Sequence, residues 1–569
     1  MTILSPTRPD RLPLQGALTR HSLARIAPVA LLHLVALVIM LWSEINLLSM
    51  AVFALTWGFV NGVWLVLLRR PALAAALSLV VFAVLIIVSR FKFDVLWMSL
   101  SFVDVMIIDG DTFAFLMMMF PNVRTASIVA ALIFLPLAVA VWRLDPFRIH
   151  RGVAALGSAA CLAGIFGLSL ADPVAPGEAF GDWNYVSYFT RTGVDAVGAY
   201  LEQGFLESDP MAVEELRAET PCENVGKRPH IILVHDESSF DIRAISHIKV
   251  PPGYGRHFRS FDGKARKFLV EGAGGPSWYT EYNVLSGLSS RSYGRFQFFV
   301  TRIAAGRVER GLPRALQRCG YSTHAIYPVY GGFLAASSYY KGVGIENFVD
   351  GKVLGSSVFE PDRFYFDFAA SMVERERRRG PMFLYVYLTA NHFTWDYPFH
   401  EELTPAGWRD PGNAMPEVNE YLRRQAMSER DYEAFLARLK RDFPDEEFLI
   451  VRYGDHQPDF AKLIIDPSID AWGIGERLLR FDPRYYTTYY AIDAVNFTPV
   501  SLDSALNVLD APYLPLVVQE AAGVPLDRSF AQQKRILERC AGLFYGCADG
   551  AEARRFNRAL IEAGLIKGL

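Results

Sequence analysis

The stretch His230-Ile-Ile-Leu-Val-His235, running straight into Asp236-Glu237-Ser238, decides the fold. A short apolar run that ends abruptly in acids reads as a strand buried on both faces of a sheet. Runs of the same kind recur at 323–327 (THAIY), 382–388 (MFLYVYL) and 447–453 (EFLIVRY), with helical patterns at 311–318, 361–378 and 417–442 among them. Strands alternating with helices predict an α/β domain with a central, mostly parallel sheet. In such sheets the ligand site forms beyond the carboxyl ends of the strands, so the polar residues after each run carry the functional reading.

Three of those ends are unusual. The first holds Glu237, the third leads through Thr389-Ala390-Asn391 to His392, and the fourth enters Gly454-Asp455-His456-Gln457-Pro458. Gly274-Gly275-Pro276-Ser277 adds a glycine-rich turn opening a helix. Singly, each has a structural explanation: an acid after a strand caps or solvates a turn, and Ser277 after a proline is a natural N-cap. Together at one edge of one sheet, carboxylates and an imidazole suit Zn²⁺ or Mn²⁺. A hydroxyl at a helix N-terminus stands where backbone amides and the helix dipole favour an anionic ester. Asp236 is expected to point to the opposite face from Glu237.

Upstream, the composition changes. The chain has 569 residues and a 51% hydrophobic content, and the excess is concentrated in 1–171. Five apolar stretches, roughly 24–43, 48–68, 72–89, 126–143 and 152–170, are long enough to cross about 30 Å of hydrocarbon. Arg8, Arg11, Arg20 and Arg25 precede the first, Arg69 and Arg70 follow the second, and Arg143, Arg148 and Arg151 follow the fourth. By the positive-inside bias the N-terminus is cytoplasmic and everything beyond 171 lies outside. Acids at Asp104, Asp109 and Asp111 make 93–119 an interfacial or re-entrant piece, with a sixth span as the competing reading.

Residues 172–228 read as a connector with a helix near 186–204, 229–525 as the α/β domain, and 526–569 as a helical tail whose basic patch is a solvated face. Cys222, Cys319, Cys540 and Cys547 lie beyond the last span, where an oxidising compartment permits two disulfides. Cys540 and Cys547, close in sequence, are the favoured pair; four free thiols are the alternative. A net charge of −3 and the lack of a Lys/Arg-rich block give no electrostatic case for nucleic acid.

The motifs ILVHDESSFD, GGPSWYTEYNVLSGL, TANHFTWDYP and YGDHQP, in this order, resemble the alkaline phosphatase/sulfatase superfamily. Within it they resemble the membrane-anchored phosphoglycerol and phosphoethanolamine transferases that include lipoteichoic acid synthase. The resemblance covers about 229–525 and extends to the five-span layout. It implies one divalent ion, Zn²⁺ or Mn²⁺, held by Glu237, Asp455, His456 and the oxygen of Ser277, with Ser277 as nucleophile and His392 on the substrate side. It also implies a multi-pass protein of a bacterial inner membrane with its catalytic domain in the periplasm. The donor would be a membrane phospholipid and the acceptor a glycan or lipid-linked sugar.

The chain departs from the family in places. Ser277 stands where the family usually has Thr, and Thr280, one turn on, is the rival nucleophile. The segment YPVYGGFLAASSYYKGVG (327–344) lacks the Trp and Arg of the glycerol-phosphate pocket of lipoteichoic acid synthases; Tyr327, Tyr330 and Lys341 are the candidates for lining a different head-group pocket. Tyr279 and Glu281 occupy the positions where formylglycine sulfatases need a Pro or small residue and an Arg, so conversion of Ser277 is not expected. The expected activity is transfer of a phosphoethanolamine or phosphoglycerol head group through a covalent Ser277 intermediate. A phosphate- or sulfate-ester hydrolase would use the same parts with water as acceptor. A catalytically inactive, membrane-anchored binding module is the alternative of another class.

Overall fold

The computed structural model describes residues 20–96, 98–107, 110–210, 216, 222, 228–356 and 359–567, and the chain forms two compact units. The first runs to Phe102 and resumes over Pro121–Asp195. Among the described residues it holds five long apolar helices: Arg20–Ser43, Leu47–Leu68, Pro71–Leu96, Pro121–Leu144 and Arg151–Ala171. Their apolar stretches are 18 to 24 residues long, or about 27–36 Å at 1.5 Å per residue, enough to cross a bilayer core. The second and fifth approach closely through small residues. A Cβ on Gly62 would stand 2.7 Å from Ser158 Cβ, and one on Gly58 2.7 Å from Cys161 Sγ.

Between the third and fourth helices lie a 3-10 turn, Phe102–Ile107, and a helix, Gly110–Met119. With 10 residues that helix is about 15 Å long, half a bilayer core. The sixth-span reading therefore fails on length.

The second unit comprises Val103–Phe120 and Ala196–Leu569. Its strands are β1 (His230–Asp236), β2 (Arg266–Leu269), β3 (Ser322–Ile326), β4 (Asn347–Val349), β5 (Met382–Tyr387), β6 (Phe448–Gly454), β7 (Thr487–Val495) and β8 (Val508–Asp510), in the order β4-β3-β5-β1-β6-β7-β2-β8. From β4 to β6 every pair is parallel, as is β2 with β8; β7 runs antiparallel to β6 and β2. The four runs read from the sequence are β1, β3, β5 and β6, the middle of the sheet.

Period-two alternation with both faces buried accounts for their unbroken apolar character. Ile231, Leu233, Phe383, Tyr385, Leu449 and Val451 enter the core on one face. Ile232, Val234, Leu384, Val386, Phe448 and Ile450 enter the core on the other. Helices Asp362–Glu376 and Pro416–Asp442 cover that second face through residues such as Phe366, Val373, Phe435 and Leu439. The first core takes in Tyr282 and Leu285 of helix Ser277–Ser286, Phe530 and Ile536 of Arg528–Cys540, and Phe556 and Leu560 of Ala551–Glu562. Val103 is buried in that same core. The tail's basic residues pair with acids, Lys534 with Glu520, and Arg539 and Arg555 with Glu552. Disulfides join Cys540 to Cys547 and Cys222 to Cys319.

Candidate active site

β1 and β6 pair with Asp236 opposite Gly454, so Glu237 and Asp455 leave the sheet side by side. Glycine is required at 454, because a Cβ there would lie 1.7 Å from the carbonyl oxygen of Ser239. Asp455 Oδ1 accepts the backbone amides of Ser238 (2.7 Å) and His456 (2.8 Å), which ties the two strand ends together. Glu237 Oε1 accepts from the Ser238 hydroxyl and Oε2 from the Tyr387 hydroxyl, both at 2.9 Å. Asp236 faces the other way, toward His257 and Tyr489.

Ser277 is the first residue of its helix; the N-cap is Pro276. The Ser277 hydroxyl therefore caps nothing, and lies 3.2 Å from both Glu237 Oε2 and His456 Nε2. Thr280 is wholly buried and its hydroxyl donates to the Asp455 carbonyl at 2.7 Å. It fastens the helix to the Asp455 loop.

His456 donates from Nδ1 to the Gln457 carbonyl at 2.8 Å. That leaves Nε2 facing Ser277, Glu237 Oε1 (3.4 Å) and Asp455 Oδ2 (3.3 Å), the orientation a metal-ligating imidazole needs. His392 donates from Nδ1 to the Phe393 carbonyl at 2.9 Å and stacks on Phe359. Burial pulls its pKa down against the opposing charge of Glu237, which favours the neutral ring.

Electrostatically the pocket is built for a cation. Burial alone would raise the Glu237 carboxyl. The neighbouring His235 ring, 3.8 Å away, and the charges of His456 and His392 override that and hold it well below the usual range. His235, two residues before Glu237, is also buried here, and burial opposes its charge, yet Asp455 and Glu237 lift it to about 10. Ligand atoms about 2.0–2.2 Å from one ion stand roughly 3–4 Å from each other. The Ser277–Glu237, Ser277–His456, Glu237–His456 and Asp455–His456 separations, 3.2 to 3.4 Å, have that spacing. Asp455 Oδ2 is also buried with no hydrogen-bond partner. The residues fit a divalent ion.

The other sequence candidates are placed differently. Tyr327 is buried and meets Tyr387 edge-on at 5.6 Å, one ring behind Glu237. Tyr330 is half-buried, its ring under the Lys352 ammonium, and Lys341 is exposed on helix Ala336–Gly342. Sequence reasoning missed Tyr387 and His235. For His235 the signal was available, since a spacing of two on a strand puts it on the face of Glu237. Among the described residues, His235, Glu237 and Asp455 offer ligand atoms within 4.8 Å of one another.

Residues 275–475 match the Sulfatase family model, a segment that takes in Ser277, His392, Asp455 and His456. No curated protein matches the chain. Among solved structures the chain is similar to the integral membrane lipooligosaccharide phosphoethanolamine transferase A of Neisseria meningitidis, at 13% identity over 87% of this chain and 95% of that chain, with a TM-score of 0.48. It is similar to the Streptococcus pyogenes phosphoglycerol transferase GacH in complex with sn-glycerol-1-phosphate, at 14% identity over 60% and 87%, TM-score 0.45. The lipoteichoic acid synthase LtaP of Listeria monocytogenes gives 16% identity over 53% and 74%, TM-score 0.41.

Proposed function

We propose, from the match of residues 275–475 to the Sulfatase family model and the geometry of the site, that this chain transfers a phosphoethanolamine or phosphoglycerol head group from a membrane phospholipid to an extracytoplasmic glycan or lipid-linked sugar. The observation that carries the reading is the Ser277 hydroxyl at the start of a helix, 3.2 Å from both a buried carboxylate and an oriented imidazole. Glu237, Asp455, His456 and Ser277 would hold one divalent ion, Zn²⁺ or Mn²⁺. When bound, the ion supplies Lewis-acid stabilisation of the phosphoryl oxygens and acidifies the Ser277 hydroxyl.

Ser277 Oγ bonds to phosphorus as the bond to the diacylglycerol oxygen breaks, and the proton that Ser277 gives up passes to that departing oxygen. The acceptor hydroxyl then attacks phosphorus and Ser277 Oγ leaves. His392, neutral and with Nδ1–H engaged by Phe393, takes the acceptor's proton on Nε2. The five membrane-length helices support transfer over hydrolysis, because they tether the chain to the membrane in which the donor stays.

The test uses the full-length protein in liposomes containing head-group-labelled phospholipid. The wild-type chain becomes covalently labelled, and Ser277→Ala loses at least 100-fold of that labelling. Undiminished labelling of the variant would remove Ser277 from its role. Release of labelled head group at the same rate with and without glycan would replace transfer by hydrolysis.

A further inference from the structure

His235 and Glu237 leave β1 on the same face, and the His235 ring is completely buried. It is held on two sides by tyrosines. Nδ1 lies 2.9 Å from the Tyr385 hydroxyl and 3.0 Å from that of Tyr453, and the ring stacks on Tyr387 at 3.8 Å. These tyrosines come from β5 and β6 at odd-numbered positions, the same face as His235.

The other nitrogen, Nε2, is 3.1 Å from Asp455 Oδ2 and 3.8 Å from Glu237 Oε2. A hydrogen bond needs direction as well as distance, and Nε2 and Asp455 Oδ2 both remain buried without a hydrogen-bond partner. Two unpartnered buried atoms side by side call for a third body that satisfies both. One nitrogen tied to outer groups and the other turned to carboxylates is the arrangement of a metal-bound imidazole. The separations of 3.1 and 3.8 Å also fall within the roughly 3–4 Å expected between ligands of one ion.

We propose that His235 Nε2 is a further protein ligand of the divalent ion, so that two imidazoles, His235 and His456, bind it. The inference rests on the metal-dependent reading of the site. A second imidazole shifts the donor set away from oxygen, favouring Zn²⁺ over Mn²⁺.

The test is X-ray absorption at the zinc edge on full-length protein in detergent, stripped and reloaded with one equivalent of Zn²⁺. Two imidazoles are expected in the wild-type chain and one in either His235→Gln or His456→Ala. Zinc affinity of His235→Gln, read by competition with a chromophoric chelator, should fall at least tenfold. Bound zinc with a single imidazole in the wild-type chain would overturn the proposal while leaving the proposed reaction intact; His235 would then only donate to Asp455. Failure to retain any stoichiometric ion would overturn both.

Discussion

Ser277 and Thr280 show how far residue type alone reaches. Both are hydroxyls in the first turns of one helix, and the sequence left them as rivals. The structure separates them by what each hydroxyl touches: Thr280 is spent on the Asp455 carbonyl, and Ser277 faces Glu237 and His456. Thr280→Val should therefore keep covalent labelling in the liposome assay. It should cost about 1–3 kcal/mol of stability, read by denaturant unfolding, because a buried carbonyl loses its donor. Asp362 gives a pH test. Burial, reinforced by the charge of Asp236, pushes its carboxyl up to about 8, and its Oδ1 accepts the amide of Ala390 at 3.1 Å. The folded state thus holds this proton more tightly than the unfolded chain, where an Asp titrates near about 3.9. Its contribution to stability is complete below about pH 4 and is lost as pH rises through about 8. Asp362→Asn should flatten the fall of Tm between pH 5 and 9, measured by differential scanning fluorimetry. His235 was legible only through its spacing from Glu237; nothing in its own residue type separated it from a packed core histidine.

At the scale of elements, the central strands and the long helices were legible because burial on both faces writes a continuous apolar run, and helical faces write a 3.6-residue period. The strands β2, β4 and β8 have only three or four residues each, too few for any pattern to rise above its neighbours. β7 is longer, but it runs antiparallel and mixes tyrosines with threonines and an acid, so its alternation is blurred. What no pattern could supply is the closeness of β1 and β6 at their carboxyl ends, which depends on the missing side chain of Gly454. Gly454→Ala drives a methyl group into the backbone of Ser239, and backbone cannot turn aside as a side chain can. The expected cost exceeds about 3 kcal/mol, against about 1 kcal/mol for Gly306→Ala, where the space is open and only the left-handed backbone is strained. Thermal unfolding of the two variants side by side makes the comparison.

For the whole molecule, hydropathy made the five apolar helices legible, and loop charges carry the expectation that residues beyond 171 lie outside the cytoplasm. Lys341, exposed on its helix, offers the check. Lys341→Cys should react with a membrane-impermeant maleimide in spheroplasts before lysis, while four native cysteines are closed in disulfides. Labelling that appears only after lysis would reverse the orientation. The membership of Val103–Phe120 in the second unit was not legible, because it rests on tertiary contacts such as the burial of Val103. The second unit is therefore discontinuous along the chain, with two apolar helices threaded between its pieces. A ribosome delivers the short piece first and the rest only after both helices have been made, so this unit cannot finish folding before then. A secreted fragment beginning at Ala196 would carry every strand and still leave an open slot where Val103 belongs. Supplying 103–120 as a separate peptide should therefore raise the Tm of a fragment that begins at Ala196.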